Sequence, residues 1–199
     1  MSLLVESIKI LNGRIYNLRL HEERANLTRK QLYGLSRALD LRSNIIIPEE
    51  YKKGLVKCRI IYREAVHQVS FQPYQKRIIS CVKIIENNDI DYSYKWQKRD
   101  NMDALFNMKG KADEIIIVKN GLLTDAYYYN IVCLSGKALF TPSRPLLHGV
   151  MREKLLNNKR IIPWDITVPN LKEFDRIYLV NALTPLGDIH FSPDQIMYE

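Results

Sequence analysis

The chain has 199 residues, of which 46% are hydrophobic and 26% are charged, and its formal net charge is +8. This balance is typical of a globular protein and excludes a disordered or fibrous chain, and the length allows one large domain or two small ones. No stretch is long and apolar enough to predict a membrane span, and the opening MSLLVESIKIL lacks the features of a signal peptide.

The first part of the chain is predicted to form a hairpin, two helices and several strands. LVESIKILNGRIYNL alternates apolar and polar residues around Asn12-Gly13, which is the strongest short-range hairpin signal. HEERANLTRKQLYG predicts a helix with acidic residues in its first turn and Gly34 as its stop. A short helix is expected after Pro48, and LVKCRIIYREAVHQVSFQPY and KRIISCVKII predict strands.

The pattern changes its period after Arg99. DNMDALFNMKG predicts a helix with Asp100 as its cap and Gly110 past its end. EIIIVKNGLLTD and NIVCLSGKALFTP predict two hairpins, with turns at Asn-Gly and Ser-Gly. HGVMREKLLNN predicts a helix that begins at Gly149, and FDRIYLVNAL predicts a late buried strand.

The polar stretch ENNDIDYSY predicts a crossing between two halves of the chain. We therefore expect a mixed α/β protein with an N-terminal subdomain at residues 1–84, a crossing at 85–94, and a C-terminal subdomain at 95–199. No internal repeat or low-complexity segment is present.

The positive charges are spread along the whole chain, which favours solvated surface lysines over a dedicated nucleic-acid surface. Cys58, Cys81 and Cys133 lie far apart in apolar stretches, which predicts free thiols in a reducing cytoplasm. The four histidines have no ligand spacing, so we expect no metal. We likewise expect no nucleic acid and no membrane as partners.

Three features together suit a cofactor. Lys95 follows the crossing, Asp125 closes a strand, and HGVMRE starts a helix whose free amides at Val150 and Met151 suit a phosphate. A lysine, a carboxylate and an anion site are what pyridoxal 5'-phosphate requires, for its aldehyde, its pyridine nitrogen and its phosphate. Such trios also arise by chance, so spacing alone leaves a surface lysine and a strand-end acid as the alternatives.

Five motifs follow one another across most of the chain: LHEERANL, YKWQKR, ADEIIIVKNGLLTDAYYYNIV, LFTPSRPLLHGVMREKLL and YLVNALTPL. Together they resemble the class IV aminotransferases, pyridoxal-phosphate enzymes of fold type IV. This family includes branched-chain and D-amino-acid aminotransferases and 4-amino-4-deoxychorismate lyase. The resemblance implies a two-subdomain fold like that of D-amino-acid aminotransferase, a homodimer, and an amino-acid-like substrate that bears a carboxylate.

The resemblance also implies roles for the residues that match the motifs. Arg24 stands where the family binds the cofactor phosphate, and Lys95 stands where the family forms its Schiff base. Asp125 occupies the place of the acid that pairs with the pyridine nitrogen, and Asn130 follows it by five residues. Asn130 and Arg99 complete the predicted cofactor-binding set, although a backbone-holding role for Asn130 and a solvated surface role for Arg99 are alternatives.

The chain departs from the family pattern in two places. The family acid is usually Glu, so Asp125 is shorter by one methylene. The family's first strands, with a GDG turn before the strand equivalent to LLVESIKI, are absent, so we expect an N-terminally shortened fold with a reduced active-site wall.

The reaction is predicted from the residues around the lysine. The lyase has a pattern like Lys-x-x-Asn-Arg, and here Lys95-Trp-Gln-Lys98-Arg99 keeps the arginine but not the asparagine. This favours pyruvate elimination from aminodeoxychorismate, which gives 4-aminobenzoate, with Arg59 expected to pair with a substrate carboxylate. The alternatives are an amino-acid aminotransferase, a family member without turnover, and a basic nucleic-acid-binding module.

Overall fold

A computed structural model describes residues 2–198 and divides the chain into two compact units. The first unit holds the residues up to Lys76 together with Tyr94–Lys98, and the second holds Arg77–Ser93 and the residues from Arg99 onward. The division therefore falls at other positions than the predicted 1–84, 85–94 and 95–199. The segment that carries Lys95 belongs to the N-terminal unit because its backbone pairs with the first strand.

The first unit is an antiparallel four-stranded sheet with one α-helix. The strand order is β2-β1-β3-β4. The elements are β1 (Leu4–Leu11), β2 (Arg14–Ile15), α1 (Leu18–Tyr33), β3 (Leu55–Tyr62) and β4 (Val66–Pro73), with 3-10 helices at Arg42–Asn44 and Glu49–Tyr51. The predicted hairpin is confirmed, since Asn12 and Gly13 adopt φ 49° and 75° in the tight turn that links β1 to β2.

Helix α1 begins three residues earlier than predicted, at Leu18. The expectation of acidic residues in its first turn is therefore wrong, because Glu22 and Glu23 fall in the second turn. Its end is confirmed: Gly34 takes a left-handed φ of 67°, and its amide donates to the carbonyl of Lys30 at 3.0 Å.

The core of the first unit lies on one face of the sheet. Alternate residues of β1 and β3 point the same way and are fully buried, as the two-residue period of a strand requires. These residues are Leu4, Ile8, Ile10, Val56, Cys58 and Ile60.

The second unit is built on a mixed sheet of nine strands. A continuous path runs β10-β9-β8-β7-β6-β5-β13, while β11 pairs with β8 and β12. Three pairs are parallel, namely β5 with β6, β13 with β5, and β10 with β9. The elements are β5 (Val82–Glu86), α2 (Asp100–Asn107), β6 (Glu114–Lys119), β7 (Leu122–Ala126), β8 (Asn130–Ser135), β9 (Ala138–Pro142), α3 (Val150–Asn157), β10 (Ile162–Trp164), β11 (Arg176–Val180), β12 (His190–Phe191) and β13 (Ile196–Met197), with 3-10 helices at Pro169–Glu173 and Pro193–Gln195.

Two details of the second unit correct the sequence analysis. Arg99 occupies the cap position of α2, so the prediction of Asp100 as the cap is wrong. Asp100 is the first helical residue, where its negative charge interacts favourably with the helix dipole. The run KRIISCVKII forms a strand only from Val82 onward. Both predicted hairpins and the helix that follows Gly149 are present.

The three cysteines are free thiols, as predicted, and Cys58 and Cys133 are buried. Burial raises the pKa of the Cys58 thiol to about 12. Among residues 2–198, no helix combines the length and the apolar composition needed to cross a bilayer.

Candidate active site

The backbone of Lys95 is fixed to the first strand of the N-terminal unit. The amide of Val5 donates to the carbonyl of Lys95 at 3.0 Å, the amide of Gln97 donates to the carbonyl of Leu3 at 2.9 Å, and Leu4 and Trp96 form an antiparallel bridge. Residues 94–98 thus extend the edge of β1 over one short pairing. This pairing fixes the position from which the Lys95 side chain leaves the backbone.

Aromatic residues flank Lys95 on both sides, as the sequence indicates. The rings of Tyr94 and Trp96 meet edge to face with centroids 5.9 Å apart, and both pack against the core of the first unit. Lys95 itself is half-buried. Residues 94–96 are therefore packed against this unit, whereas Gln97 and Lys98 are exposed.

A buried ionic network lies on the sheet face that carries the core. Glu6 of β1 is fully buried. Its carboxylate accepts hydrogen bonds from Nε of Arg24 at 2.9 Å, from Nη2 of Arg24, and from Nδ1 of His21 at 2.6 Å. Burial alone raises the pKa of Glu6, but the Arg24 charge and the His21 hydrogen bond outweigh it and lower the pKa to about 2. Glu6 is therefore an anion that orients Arg24.

His21 is neutral in this network. Burial is the main cause that lowers its pKa, the Glu6 carboxylate opposes this, and the positive charges of Arg24 and Lys95 lower the pKa further. With Nδ1–H donating to Glu6, Nε2 is left as an acceptor, and it has no hydrogen-bond partner within residues 2–198.

Glu6 and His21 were not predicted as site residues from the sequence. A signal for both was present: Glu6 occupies an inward position of a strand whose other inward residues are apolar, and His21 lies one helical turn before Arg24. A charge at a core position requires a buried partner, and only the helix that follows could supply one nearby in sequence.

Arg59 lies on the opposite face of the same sheet. In the register of β1 and β3, Ile60 opposes Glu6 and Arg59 opposes Ser7. Since neighbouring residues of a strand point to opposite faces, Arg59 does not share the face of Glu6, His21 and Arg24. The strand register thus separates the predicted substrate arginine from the predicted phosphate-binding arginine.

Asp125, in the second unit, is a fully buried acid with uncharged hydrogen-bond donors. One carboxylate oxygen accepts from Nδ2 of Asn130 at 2.6 Å, and the other accepts from the amide of Leu147 at 2.8 Å. Burial raises the pKa of Asp125 to about 6, because these hydrogen bonds and the nearby charge of Arg152 oppose desolvation only in part. A carboxyl group with such a pKa is ready to pair with a cationic ring nitrogen at neutral pH.

The predicted phosphate-binding amides stand at the start of α3. Gly149 is the cap, and the side chains of Val150 and Met151 are buried. The first amides of a helix have no acceptor within the helix, so those of Val150 and Met151 are available to an anion. Arg152 follows and donates to the carbonyl of Pro142 at 3.0 Å.

Arg99 contacts the tyrosines that follow β7. Its guanidinium carbon lies 4.2 Å from the ring centre of Tyr127, 4.6 Å from that of Tyr128 and 5.2 Å from that of Tyr92, and it donates to the carbonyl of Tyr127. Within its unit Arg99 is thus a cation stacked on aromatic rings.

Tyr127, Tyr128 and Tyr129 lie in a bend that joins β7 to β8. The outer two rings are buried, whereas Tyr128 is 50% exposed. The carboxylate of Glu114 explains the bend, since it accepts the amide of Tyr127 at 3.1 Å from a fully buried position.

Comparison with known proteins gives the family. Residues 48–190 match the model of the amino-transferase class IV family. An uncharacterized protein of Haemophilus influenzae is 36% identical over 185 residues, which cover 92% of this chain and 98% of that protein.

Solved structures agree with this match. A proposed 4-amino-4-deoxychorismate lyase from Haemophilus somnus 129PT has 30% identity and a TM-score of 0.82, with 94% of this chain and 98% of that chain covered. A hypothetical aminotransferase from Mycobacterium tuberculosis, solved with pyridoxal phosphate bound, shares the fold at 16% identity and a TM-score of 0.77, over 94% of this chain and 80% of that chain. These findings confirm the predicted mixed α/β architecture of fold type IV.

Proposed function

We infer that this chain catalyses the elimination of pyruvate from 4-amino-4-deoxychorismate. It belongs to the class IV aminotransferases, a family of pyridoxal-phosphate-dependent enzymes. The observation that carries this proposal is the likeness to the Haemophilus somnus protein, at 30% identity over 94% of the chain. The arginine four residues after Lys95 supports it, because the lyase pattern has an arginine at that place. The product would be 4-aminobenzoate, which implies a place in folate biosynthesis.

The residues of each unit fit pyridoxal phosphate by their chemistry. In the second unit, Asp125 is a buried acid without a cationic hydrogen-bond donor, which suits a protonated pyridine nitrogen. In the first, Glu6 takes two of the guanidinium's hydrogen-bonding groups and so fixes the plane of Arg24, whose side chain is 14% exposed. When bound, the cofactor supplies a ring that accepts electrons from the substrate carbon.

We assign the residue roles as follows. Lys95 holds the cofactor covalently and, once released as a neutral amine, takes the α-proton of the substrate as general base. Asp125 keeps the ring nitrogen protonated. Arg24 and the amides of Val150 and Met151 bind the phosphate.

The substrate is proposed to be amino-acid-like and to bear a carboxylate, with Arg59 as the pairing cation. An Arg59→Ala variant is then expected to raise KM at least tenfold while cofactor binding stays unchanged, because a lost charged pair weakens substrate binding alone. Since Arg59 lies on the other face from Arg24, an unchanged KM would remove Arg59 from the assignment.

The covalent assignment is tested on the purified full chain. Added pyridoxal phosphate should give a yellow protein, and borohydride should bleach it and leave a pyridoxyl group on Lys95, detected by peptide mass spectrometry. The matched control is Lys98→Ala, which removes an exposed lysine three residues away and should retain the label. A protein that stays colourless, or a label that survives Lys95→Ala, would contradict the proposal.

The reaction type is tested by its products. Pyruvate release without a 2-oxo acid acceptor supports the lyase, and amino transfer that depends on an acceptor supports the aminotransferase alternative. Cofactor binding without either reaction would identify a family member without turnover.

We further propose that the enzyme acts in the cytoplasm as a homodimer. A monomer by light scattering would contradict the proposed homodimer.

A further inference from the structure

The side-chain amide of Asn130 joins three backbone segments of the second unit. Asn130 is 5% exposed and stands opposite Asp125 across the β7–β8 pair. Its Nδ2 donates to the carboxylate of Asp125 at 2.6 Å and to the carbonyl of Leu147 at 2.8 Å. Since the amide of Leu147 donates in turn to Asp125, the acid, the amide and the loop before α3 form a closed hydrogen-bonded set.

The backbone of Gly149 lies against the side-chain amide of Asn130. A Cβ atom built on Gly149 would lie 1.9 Å from Oδ1 and 3.1 Å from Cγ of Asn130. The backbone of Gly149 is ordinary, with φ −75° and ψ 142°, so a glycine is required by space and not by conformation. Asn130 cannot swing away because both hydrogens of its amide nitrogen are in use.

We propose that Asn130 is a positioning residue, which does not bind the cofactor itself but fixes the Asp125 carboxylate relative to the start of α3. This inference rests on the proposed function, since it assigns Asp125 to the ring nitrogen and the first amides of α3 to the phosphate. The ring nitrogen and the phosphate of one cofactor lie a fixed distance apart. Because the side-chain amide of Asn130 bonds both Asp125 and the loop before α3, it sets the distance between the acid and the first amides of the helix. Gly149 leaves the space for this side chain.

The first test is the Asn130→Ala variant of the full chain, titrated with pyridoxal phosphate and followed by absorbance. The affinity for the cofactor should fall about tenfold, because a hydrogen bond to a charged group is lost. The pH at which the bound cofactor changes its absorbance should also rise by about one unit, since Asn130 stabilises the ionised form of Asp125.

The matched control is Asn170→Ala, which removes another structural amide of the same unit, one that accepts the amide of Thr167 at 2.9 Å. This variant should lose stability without a shift in the cofactor titration. An Asn130→Ala protein that behaves like the control in both readouts would overturn the proposal.

The second test needs no cofactor. Gly149→Ala should destabilise the wild-type chain but have little effect in the Asn130→Ala background, because the atoms that its methyl would meet are then gone. Thermal unfolding of the two single variants and the double variant forms a double-mutant cycle. Strong coupling is expected, and the double variant should fold even if a single variant does not, since the new methyl occupies part of the vacated space. Additive effects would show that Asn130 does not fix the start of α3.

The two proposals fail in different ways. If borohydride labels Lys95 in the wild type while Asn130→Ala leaves the titration unchanged, the positioning role alone is wrong. If the wild-type chain takes up no cofactor, the proposed function is wrong and the role of Asn130 falls with it.

Discussion

At the scale of single residues, two buried carboxylates of this chain are tuned in opposite directions. Glu6 pairs with a guanidinium and its pKa is lowered, whereas Asp125 has only uncharged hydrogen-bond donors and its pKa is raised. The difference follows from their partners, since both side chains are fully buried. Their contributions to stability therefore have opposite dependence on pH.

Asp125 should make the cofactor-free protein less stable as the pH rises. Its pKa is about 6 in the folded chain and near 4 when unfolded, so the folded chain binds the proton more tightly. The free energy of unfolding should fall between about pH 4 and pH 6, by on the order of 3 kcal/mol at most. Asp125→Asn should remove this slope, measured by urea unfolding across that range. A variant with the wild-type slope would contradict the assigned burial effect.

Glu6 should stabilise the protein, with the opposite sign. Its folded pKa of about 2 lies below the ordinary 4.5, so its contribution is complete above pH 4.5 and is lost as the pH falls toward 2. Glu6→Gln should lower the free energy of unfolding at pH 7 by about 3 kcal/mol, because Arg24 loses its buried anionic partner. The control is Glu23→Gln on helix α1, whose exposed pair with Arg19 should change stability by less than about 0.5 kcal/mol. Equal effects in the two variants would disprove the network.

Sequence patterns predicted individual residues unevenly. Motif spacing is enough to propose Lys95 and Asp125 as site residues, because a motif preserves the order of residues along the chain. The partners of these residues are set by strand register and helix packing, which no local pattern displays. The Glu6–His21–Arg24 network therefore appeared only with the fold, although Glu6 at an inward strand position was a usable signal.

At the scale of elements, two glycines show two different requirements. Gly34 ends α1 with φ 67°, and a Cβ there would meet nothing within 4 Å. Gly149 has an ordinary backbone and no room for a Cβ. The first glycine is needed for conformation and the second for space.

Gly34 variants test the conformational requirement. Gly34→Ala should destabilise the protein by about 1 kcal/mol, since alanine pays for a left-handed φ. Gly34→Asn should cost less, because asparagine tolerates this region. Thermal unfolding measures both, and an asparagine variant less stable than the alanine variant would contradict this explanation of the helix stop.

The long elements and the short helix after Pro48 were predicted, whereas the shortest strands late in the chain were not. Hairpins with Asn-Gly turns and helices of two or more turns leave a periodic signal, which is why β1, β6 and α3 could be placed. Strands of two or three residues, such as β12 and β13, owe their form to a neighbouring strand and leave no period in the sequence. The start of α1 shifted because Leu18 and Arg19 extend a helix that has no capping side chain.

At the scale of the whole molecule, the units are interleaved in sequence. The chain leaves the first unit after Lys76, returns for Tyr94–Lys98 and leaves again. The predicted boundaries missed this return, because five residues that pair with β1 look no different in sequence from a linker.

Hydrogen exchange should reveal the interleaving. The amides of Val5 and Gln97 pair across the β1 edge, so they should exchange at similar rates and slow down or speed up together as denaturant is varied. The amide of Leu105, in the last turns of α2 and in the other unit, should follow a separate course. If Gln97 exchanges with Leu105 and not with Val5, the returning segment is not part of the first unit.

The returning segment bears on how the protein is made. During synthesis the first 76 residues leave the ribosome before Tyr94–Lys98, the stretch that pairs with β1. That stretch emerges only after the first strand of the next unit, β5, has already been translated. The position that we assign to cofactor attachment is thus among the last residues added to its own unit, so a nascent chain stalled before Tyr94 would present an N-terminal fold that still lacks the attachment lysine.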